Sequence, residues 1–335
     1  MEYANLGKSG LKVSRICLGC MSYGEPSDQV QLPGRHAWVL NEADSQPFLR
    51  QALDLGINFF DTANVYSGGA SEAVLGRFLK AHARRESVVI ATKVHGEMRP
   101  EPNGRGLSRK AILFEVEQSL RRLETDYIDL YQIHRLDSGT PIEETLVALH
   151  DLLKAGKVRY IGASSMFAWQ FAKLLYVADR HGWSRFISMQ NHYNLLYREE
   201  EREMLPLCLE EGIGVLPWSP LARGRLARPG GDDSTLRIET DAFGRTLYQQ
   251  TESADHKVID RVGEIAEKRG VPRVQVALAW VLSRPGVVSP VMGATKTRHL
   301  EDAVAALSLR LTPEETTSLD ELYIPHPISG HGLRG

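Results

Sequence analysis

Eight short apolar runs, separated by segments with helical starts and stops, constrain what this chain can fold into more than any other feature. They cover residues 16–21, 57–61, 88–94, 127–134, 158–164, 186–190, 213–218 and 287–292. Each is brief and nearly continuous in apolar residues. A strand buried on both faces reads this way, whereas a half-buried strand alternates. The intervening segments carry helix punctuation. Thr312-Pro313-Glu314-Glu315 supplies an N-cap hydroxyl, a proline at the first helical position and a capping-box glutamate, and Thr140-Pro141-Ile142-Glu143 reads the same way. Gly56, Gly156 and Gly212 each stand between a helical segment and the next apolar run, where a left-handed C′ residue ends a helix. Strand and helix alternate as far as the 320s, and the implied sheet is parallel.

Eight such units in 335 residues favour a closed (β/α)8 barrel of the TIM type over an open doubly wound sheet. The open sheet would usually show Gly-x-Gly-x-x-Gly after an early strand. Here the first run leads into Gly19-Cys20-Met21-Ser22-Tyr23-Gly24, which lacks that spacing. The reading is one α/β domain over residues 1–335. Residues 1–15 form an N-terminal β-hairpin around Leu6-Gly7-Lys8-Ser9-Gly10-Leu11 that closes the bottom of the barrel, and residues 323–335 form a tail. Three connections, 22–45, 95–107 and 221–255, are too long for plain turns, and the last contains Pro229-Gly230-Gly231-Asp232-Asp233, a loop composition. All three leave the C-terminal end of a strand, where barrel enzymes carry their sites.

Composition excludes several classes of function. A net charge of −2, from 40 basic and 42 acidic residues without a strongly basic face or arm, points away from nucleic acid and anionic membrane. No apolar run approaches the roughly 20 residues of a membrane span, and the N-terminus lacks the pattern of a signal peptide. Three cysteines argue against a disulfide framework and for the reducing cytoplasm. The chain is compatible with a homo-oligomer.

Polar residues closing apolar runs are the informative ones. Asp61 ends the second run and Tyr66 follows five residues later; Lys93 and His134 end the third and fourth. In a barrel, an acid, a lysine and a histidine at three successive strand ends converge on one point. The alternative is a set of ionic residues that satisfy one another at the rim.

These residues resemble the motifs of the aldo-keto reductase family. Asp61-Thr62-Ala63-Asn64-Val65-Tyr66, followed by Ser71-Glu72, is similar to the family's first signature, Ala91-Thr92-Lys93 to its second, and residues 128–134 to its third. Gly162-Ala163-Ser164-Ser165, Gln190, Trp218-Ser219-Pro220-Leu221 and Gly293-Ala294-Thr295 follow in the order of the cofactor-binding motifs. His36-Ala37-Trp38, residues 198–202 and residues 218–226 resemble the bacterial YajO-type, aryl-alcohol-dehydrogenase-like branch.

The resemblance implies an NADP-dependent oxidoreductase that reduces aldehydes or ketones, aromatic or small and reactive, to alcohols, with NADPH preferred to NADH and no metal. Tyr66 would be the general acid, Lys93 would favour its anionic form, Asp61 would orient and neutralise the lysine, and His134 would hydrogen-bond the carbonyl oxygen. Ser164, Ser165 and Gln190 would hold the nicotinamide carboxamide, and Trp218 would stack on the ring. Gly19 and Met21 would line the cofactor, and Ser219, Pro220, Leu221, Arg223, Gly224 and Arg225 would follow the pyrophosphate. Gly293, Thr295, Lys296, His299 and Asp302 would open the last helix onto the adenine half, Lys296 and His299 reading the 2′-phosphate of NADP. Trp38, Tyr66, His134, Arg135 and Arg198 would meet the substrate. Ser165 stands where the family usually has asparagine. Ala303 replaces an adenine-contacting asparagine, and Asp302 a glutamate.

The family also includes relatives of potassium-channel β subunits, so a redox-sensing NADP-binding regulatory subunit is a second expectation; the lack of an N-terminal extension favours the enzyme. Chemistry on a sugar or sugar phosphate is a third, since Arg135, Arg198 and Arg223 suit an anionic substrate. Cys17 and Cys20 form C-x-x-C, but residues three apart on a strand point to opposite faces. Trp280 reads as core, His326 and His331 as surface residues, and the acidic run 199–203 as a solvated helix face.

Overall fold

A computed structural model of the chain describes residues 1–27, 34–229 and 240–331. Its opening hairpin pairs β1 (Tyr3–Asn5) with β2 (Lys12–Ser14). Eight strands then form one parallel sheet: β3 (Cys17–Gly19), β4 (Phe59–Asp61), β5 (Val89–Val94), β6 (Ile128–Ile133), β7 (Val158–Ser164), β8 (Phe186–Gln190), β9 (Gly214–Val215) and β10 (Val291–Met292). Their order is β10-β3-β4-β5-β6-β7-β8-β9. Bridges from Val215 to Val287 and from Trp218 to Val291 join the last edge to the first, closing a (β/α)8 barrel. The expected runs 213–218 and 287–292 contract to two-residue ladders for a chemical reason. Pro217 and Pro290 carry no N–H, and they serve only as acceptors, from Val291 N (2.8 Å) and Cys17 N (3.0 Å).

Helices α1 (Glu42–Asp54), α2 (Ala70–His82), α3 (Arg109–Arg122), α4 (Ile142–Lys154), α5 (Ala168–His181) and α6 (Met204–Glu211) each return the chain to the bottom of the barrel. Next come α7 (Ala242–Tyr248), α8 (Glu252–Arg269), α9 (Arg273–Leu282), α10 (Thr297–Ala305) and α11 (Pro313–Asp320). Gly56, Gly156 and Gly212 are left-handed as expected, with φ of 79°, 72° and 67°. The capping box of α11 is also present: Glu315 N donates to Thr312 Oγ1 (3.2 Å) and Thr312 N to Glu315 Oε2 (2.8 Å). At α4 the expectation is corrected. The helix begins one residue later, with Pro141 as its cap, because the Thr140 hydroxyl donates to Asp137 (2.7 Å). The segment 221–255 is likewise not one loop, since a 3-10 segment (Ala222–Ala227) and α7 lie within it; Gly230 to Asp233 fall outside the described residues.

Side-chain alternation places the core in two shells. Cys17, Phe59, Val89, Ala91 and Leu130 point into the barrel, where Leu6 and Val13 of the hairpin meet them and close its N-terminal end. Leu18, Phe60, Ile90, Tyr131 and Ile161 point outward to the helices. Cys17 and Cys20 fall in different shells, and burial pushes both thiols up, which keeps them protonated and inert. Among the described residues no cluster of His, Cys, Asp and Glu could hold a metal ion, and no helix is long and apolar enough to cross a membrane.

The tail is not a surface appendage. His326 is buried and its Nε2 lies 2.9 Å from Asp255 Oδ1, while its backbone N–H donates to Glu199 (2.9 Å). Ser329 N donates to Tyr197 Oη (3.2 Å), which lays the chain from Ser329 to His331 over the rim of the barrel beside Trp218. Trp280 is core, as expected, with its indole N–H donating to Asp320 (2.9 Å).

Candidate active site

Along each early strand the inward side chains change from apolar at the bottom to polar at the top. Phe59 is followed two residues on by Asp61, Ala91 by Lys93, and Leu130 by Gln132 and then His134. Lys93 and Asp61 are buried (0% and 2% exposed), so their charges require each other and further hydrogen bonds. Lys93 Nζ donates to Asp61 Oδ1 (2.5 Å), Thr62 O (2.9 Å) and Tyr66 Oη (3.4 Å). Asp61 Oδ2 accepts from Gln132 Nε2 and Gln190 Nε2, both at 2.9 Å. Burial alone would lower the Lys93 ammonium, but Asp61 outweighs it with help from Tyr66, and the net direction is upward. His134 moves the other way. Burial, then Arg135 and Lys93, hold its imidazole well below the usual range, so it is neutral at physiological pH. Its ring meets Tyr66 edge-on at 5.8 Å between centroids.

The loop that presents Tyr66 is strained and tightly backed. Ser67 has φ of 50°, costly for a residue with a side chain. Gly69 has φ of 100°, and a Cβ there would meet the Arg122 side chain at 2.7 Å, so only glycine fits. Arg122 is held in turn by Glu72, which accepts from Arg122 Nε (2.6 Å) and Thr92 Oγ1 (2.5 Å). Ser71 bonds Thr62 Oγ1 (2.8 Å) and donates to Cys20 O (2.7 Å). Thus Ser71 and Glu72 of the first signature do not reach Asp61, Tyr66, Lys93 or His134; they fix the backbone around them. Gly34 accepts from Ser67 N (2.8 Å), and the same loop carries Trp38, buried and stacked on His36 at 4.7 Å.

The residues expected to bind a cofactor line the same face. Ser164 Oγ donates to Gln190 O (2.8 Å), and because the Gln190 amide nitrogen faces Asp61, only its Oε1 is left for another ligand. Trp218 lies half-buried, with its indole N–H donating to Ser165 Oγ (2.9 Å) and its ring stacked on His192 at 4.3 Å. His192 stacks on Tyr197, also at 4.3 Å, so the tryptophan is backed by two aromatic rings. Ser219, Ala222, Arg223 and Gly224 all have positive φ (52°, 48°, 57° and 99°), which makes this segment a succession of tight turns. Gly19 sits against Val291, and Tyr23 Oη donates to Ala294 O (2.9 Å), pinning the loop around Met21 to the end of β10. At α10, Thr295 and Lys296 are exposed and His299 is half-buried; Asp302 accepts from Gln275 (3.1 Å). Arg298, exposed beside Lys296, is a further cation that pattern reading overlooked.

Two expectations are corrected, for Arg198 and for the acidic run. Arg198 does not face the mouth: its guanidinium donates to Glu201 (2.9 Å) and Asp320 (2.8 Å) beside the Trp280 and Tyr323 rings. Arg223 pairs with Asp241, and Arg225 with Glu252 (3.3 Å). The acidic run is not a solvated face either. Glu199 accepts from Tyr323 Oη (2.7 Å), and Glu200 is buried, accepting from Asn191 Nδ2 (3.0 Å). The sequence hides the contacts with Asp320 and Tyr323 because these partners are more than a hundred residues away along the chain.

Burial pushes the Glu200 carboxyl up to about 8. The folded state therefore holds this proton more tightly than the unfolded chain, whose glutamates titrate near about 4.3. Glu200 costs nothing at low pH, and stability is lost as pH rises from there through about 8. We expect the melting temperature of Glu200→Gln, relative to wild type, to rise by several degrees between about pH 5 and about pH 9. An unchanging difference would show that Glu200 is ionised when folded.

A barrel with this polar centre at the C-terminal rim matches the Aldo/keto reductase family over residues 15–324, and the chain belongs to that family of oxidoreductases. More particularly, it is 48% identical to the versiconal hemiacetal acetate reductase of Aspergillus parasiticus, with 98% of each chain covered. Two yeast proteins provisionally named aryl-alcohol dehydrogenases are also similar: one of Schizosaccharomyces pombe at 44% (98% of this chain, 97% of the relative) and one of Saccharomyces cerevisiae at 42% (97% and 98%).

Proposed function

We propose that the chain reduces aldehydes and ketones, aromatic or small and reactive, to alcohols in the cytoplasm, reversibly and with NADPH. The observation that carries this reading is the convergence of Asp61, Lys93, Tyr66 and His134 at the C-terminal ends of three adjacent strands. The residues present fit a dinucleotide. The Trp218 ring, backed by His192 and held by Ser165, offers a flat surface at a strand end. The positive-φ turn at Ser219 to Gly224 and the exposed Lys296 and Arg298 suit phosphates. When bound, the nicotinamide supplies the hydride.

The chain's own part is proton delivery and charge control. Tyr66 gives its proton to the carbonyl oxygen. Lys93, fixed as a cation by Asp61, faces the phenol oxygen and stabilises the charge left there. Neutral His134 hydrogen-bonds the same carbonyl oxygen, positioning and polarising it without adding a charge that would compete with Lys93. Gln132 and Gln190 hold Asp61 so that it stays directed at the lysine.

NADPH consumption against aromatic aldehydes, dicarbonyls and sugar phosphates tests the reading, and turnover of sugar phosphates alone would replace it. The preference for NADPH has a separate test. Lys296→Ala should weaken NADPH by about tenfold and NADH by less than about twofold, the loss of one exposed phosphate contact. Equal losses would show that Lys296 does not read the 2′-phosphate.

A further inference from the structure

Of the three arginines that suit an anionic substrate, the fold engages two. Arg198 is bound by Glu201 and Asp320, and Arg223 by Asp241. Arg135 is left. It follows His134 on the rim, and its one hydrogen bond among the described residues runs from Nη1 to the His134 carbonyl (2.6 Å). A guanidinium has five N–H donors, so most of them remain available. Arg135 itself is half-buried, so part of its side chain meets solvent. No ion pair among the described residues includes Arg135. The nearest carboxylate along the chain, Asp137, is turned away, accepting from Leu107 N (2.8 Å), Gly139 N (2.9 Å) and Thr140 Oγ1 (2.7 Å). Because Asp61 neutralises Lys93 and His134 is neutral, Arg135 is the uncompensated positive charge beside Tyr66.

The surroundings define what such a cation would hold. Phe167 meets the His331 ring edge-on at 4.8 Å, and Nδ1 of His331 is buried without a partner. Arg135 is close enough to lower the His331 imidazole further. The neighbouring Gly330 lies against the Trp218 ring. Aromatic rings thus lie near the fork of unused donors. A guanidinium matches the planar geometry of a carboxylate with paired hydrogen bonds.

We propose that Arg135 binds an oxyanion on the substrate, so that this reductase selects carbonyl compounds bearing a carboxylate, foremost aromatic aldehydes with a ring carboxylate. The aromatic ring would lie between Tyr66 and Phe167. The proposal rests on the carbonyl reduction argued above and goes further by naming the substrate class.

The test compares kcat/KM for 4-carboxybenzaldehyde with that for its neutral methyl ester, methyl 4-formylbenzoate, in wild type and in Arg135→Met. A second pair, glyceraldehyde 3-phosphate and glyceraldehyde, asks whether phosphate serves instead. We expect wild type to favour the carboxylate over the ester by about tenfold or more, the scale of one charge-assisted hydrogen bond. In Arg135→Met the ratio should fall to about one, chiefly through KM, and Arg135→Lys should restore part of it. Equal losses on acid and ester, or a wild-type ratio at or below one, would overturn the proposal. Discrimination confined to the phosphate pair would overturn the carboxylate assignment. Failure of wild type to reduce any of the four aldehydes would instead remove the carbonyl-reductase reading itself.

Discussion

Replacing Tyr66 by phenylalanine is expected to lower kcat for an aromatic aldehyde by about 10³-fold or more, while the dissociation constant for NADPH stays within about twofold. The substitution removes one oxygen. The ring keeps its edge contact with His134, and Lys93 keeps Asp61 and Thr62 O as acceptors, so the buried pair beneath remains satisfied. What disappears is the acid 3.4 Å from a fixed cation. His134 is a poor substitute, since its imidazole is held neutral and gives up a proton far less readily than an imidazolium. Water can protonate the product, but slowly, which leaves a small residual rate. Steady-state turnover and a fluorescence titration with NADPH separate the two quantities. A variant within about tenfold of wild-type turnover would remove Tyr66 from the acid's role.

Asp61, Lys93 and His134 were legible because each breaks an apolar run near its end, where a core residue has no reason to be ionisable; Tyr66, five residues past such an end, was legible only through the resemblance. The barrel was legible for a related reason: parallel strands covered on both faces read as continuous apolar segments. Other parts were not. Gln132 sits inside the run 127–134, where a single polar residue looks like ordinary variation; only the register of β5 and β6, which sets it beside Lys93, shows why an amide is needed there. Gln190 read as a cofactor ligand because the resemblance implies that role, yet its nitrogen also holds Asp61. The acidic run 199–203 has the composition of a wet surface. Its burial depends on Asn191, Tyr193, Arg198, Tyr323 and His326, and no local rule brings the tail back to them. Charge counting alone could not rank Arg135, Arg198 and Arg223; the ranking came from which carboxylates the fold had already directed elsewhere.

The largest effect on stability should come from Lys93→Met. Methionine fills much of the lysine's volume, so little of the loss is packing. The loss is electrostatic: Asp61, 2% exposed, keeps its two glutamine donors but has no cation. Breaking a buried pair on one side costs about 3–5 kcal/mol, a large part of the roughly 5–15 kcal/mol that holds a typical protein folded. A urea midpoint well below wild type is the expected result, together with loss of turnover. The double variant Asp61→Asn, Lys93→Met separates the two roles. Asparagine at 61 still accepts from both glutamine amides and carries no charge, so the stranded carboxylate is gone and most of the lost stability should return. Activity should not return, because nothing then stabilises the charge left on Tyr66. If the single variant unfolds at the wild-type midpoint, Asp61 and Lys93 are not a buried ion pair. If the double variant regains turnover, the cation is not needed for proton transfer, and the arrangement at the rim serves stability alone.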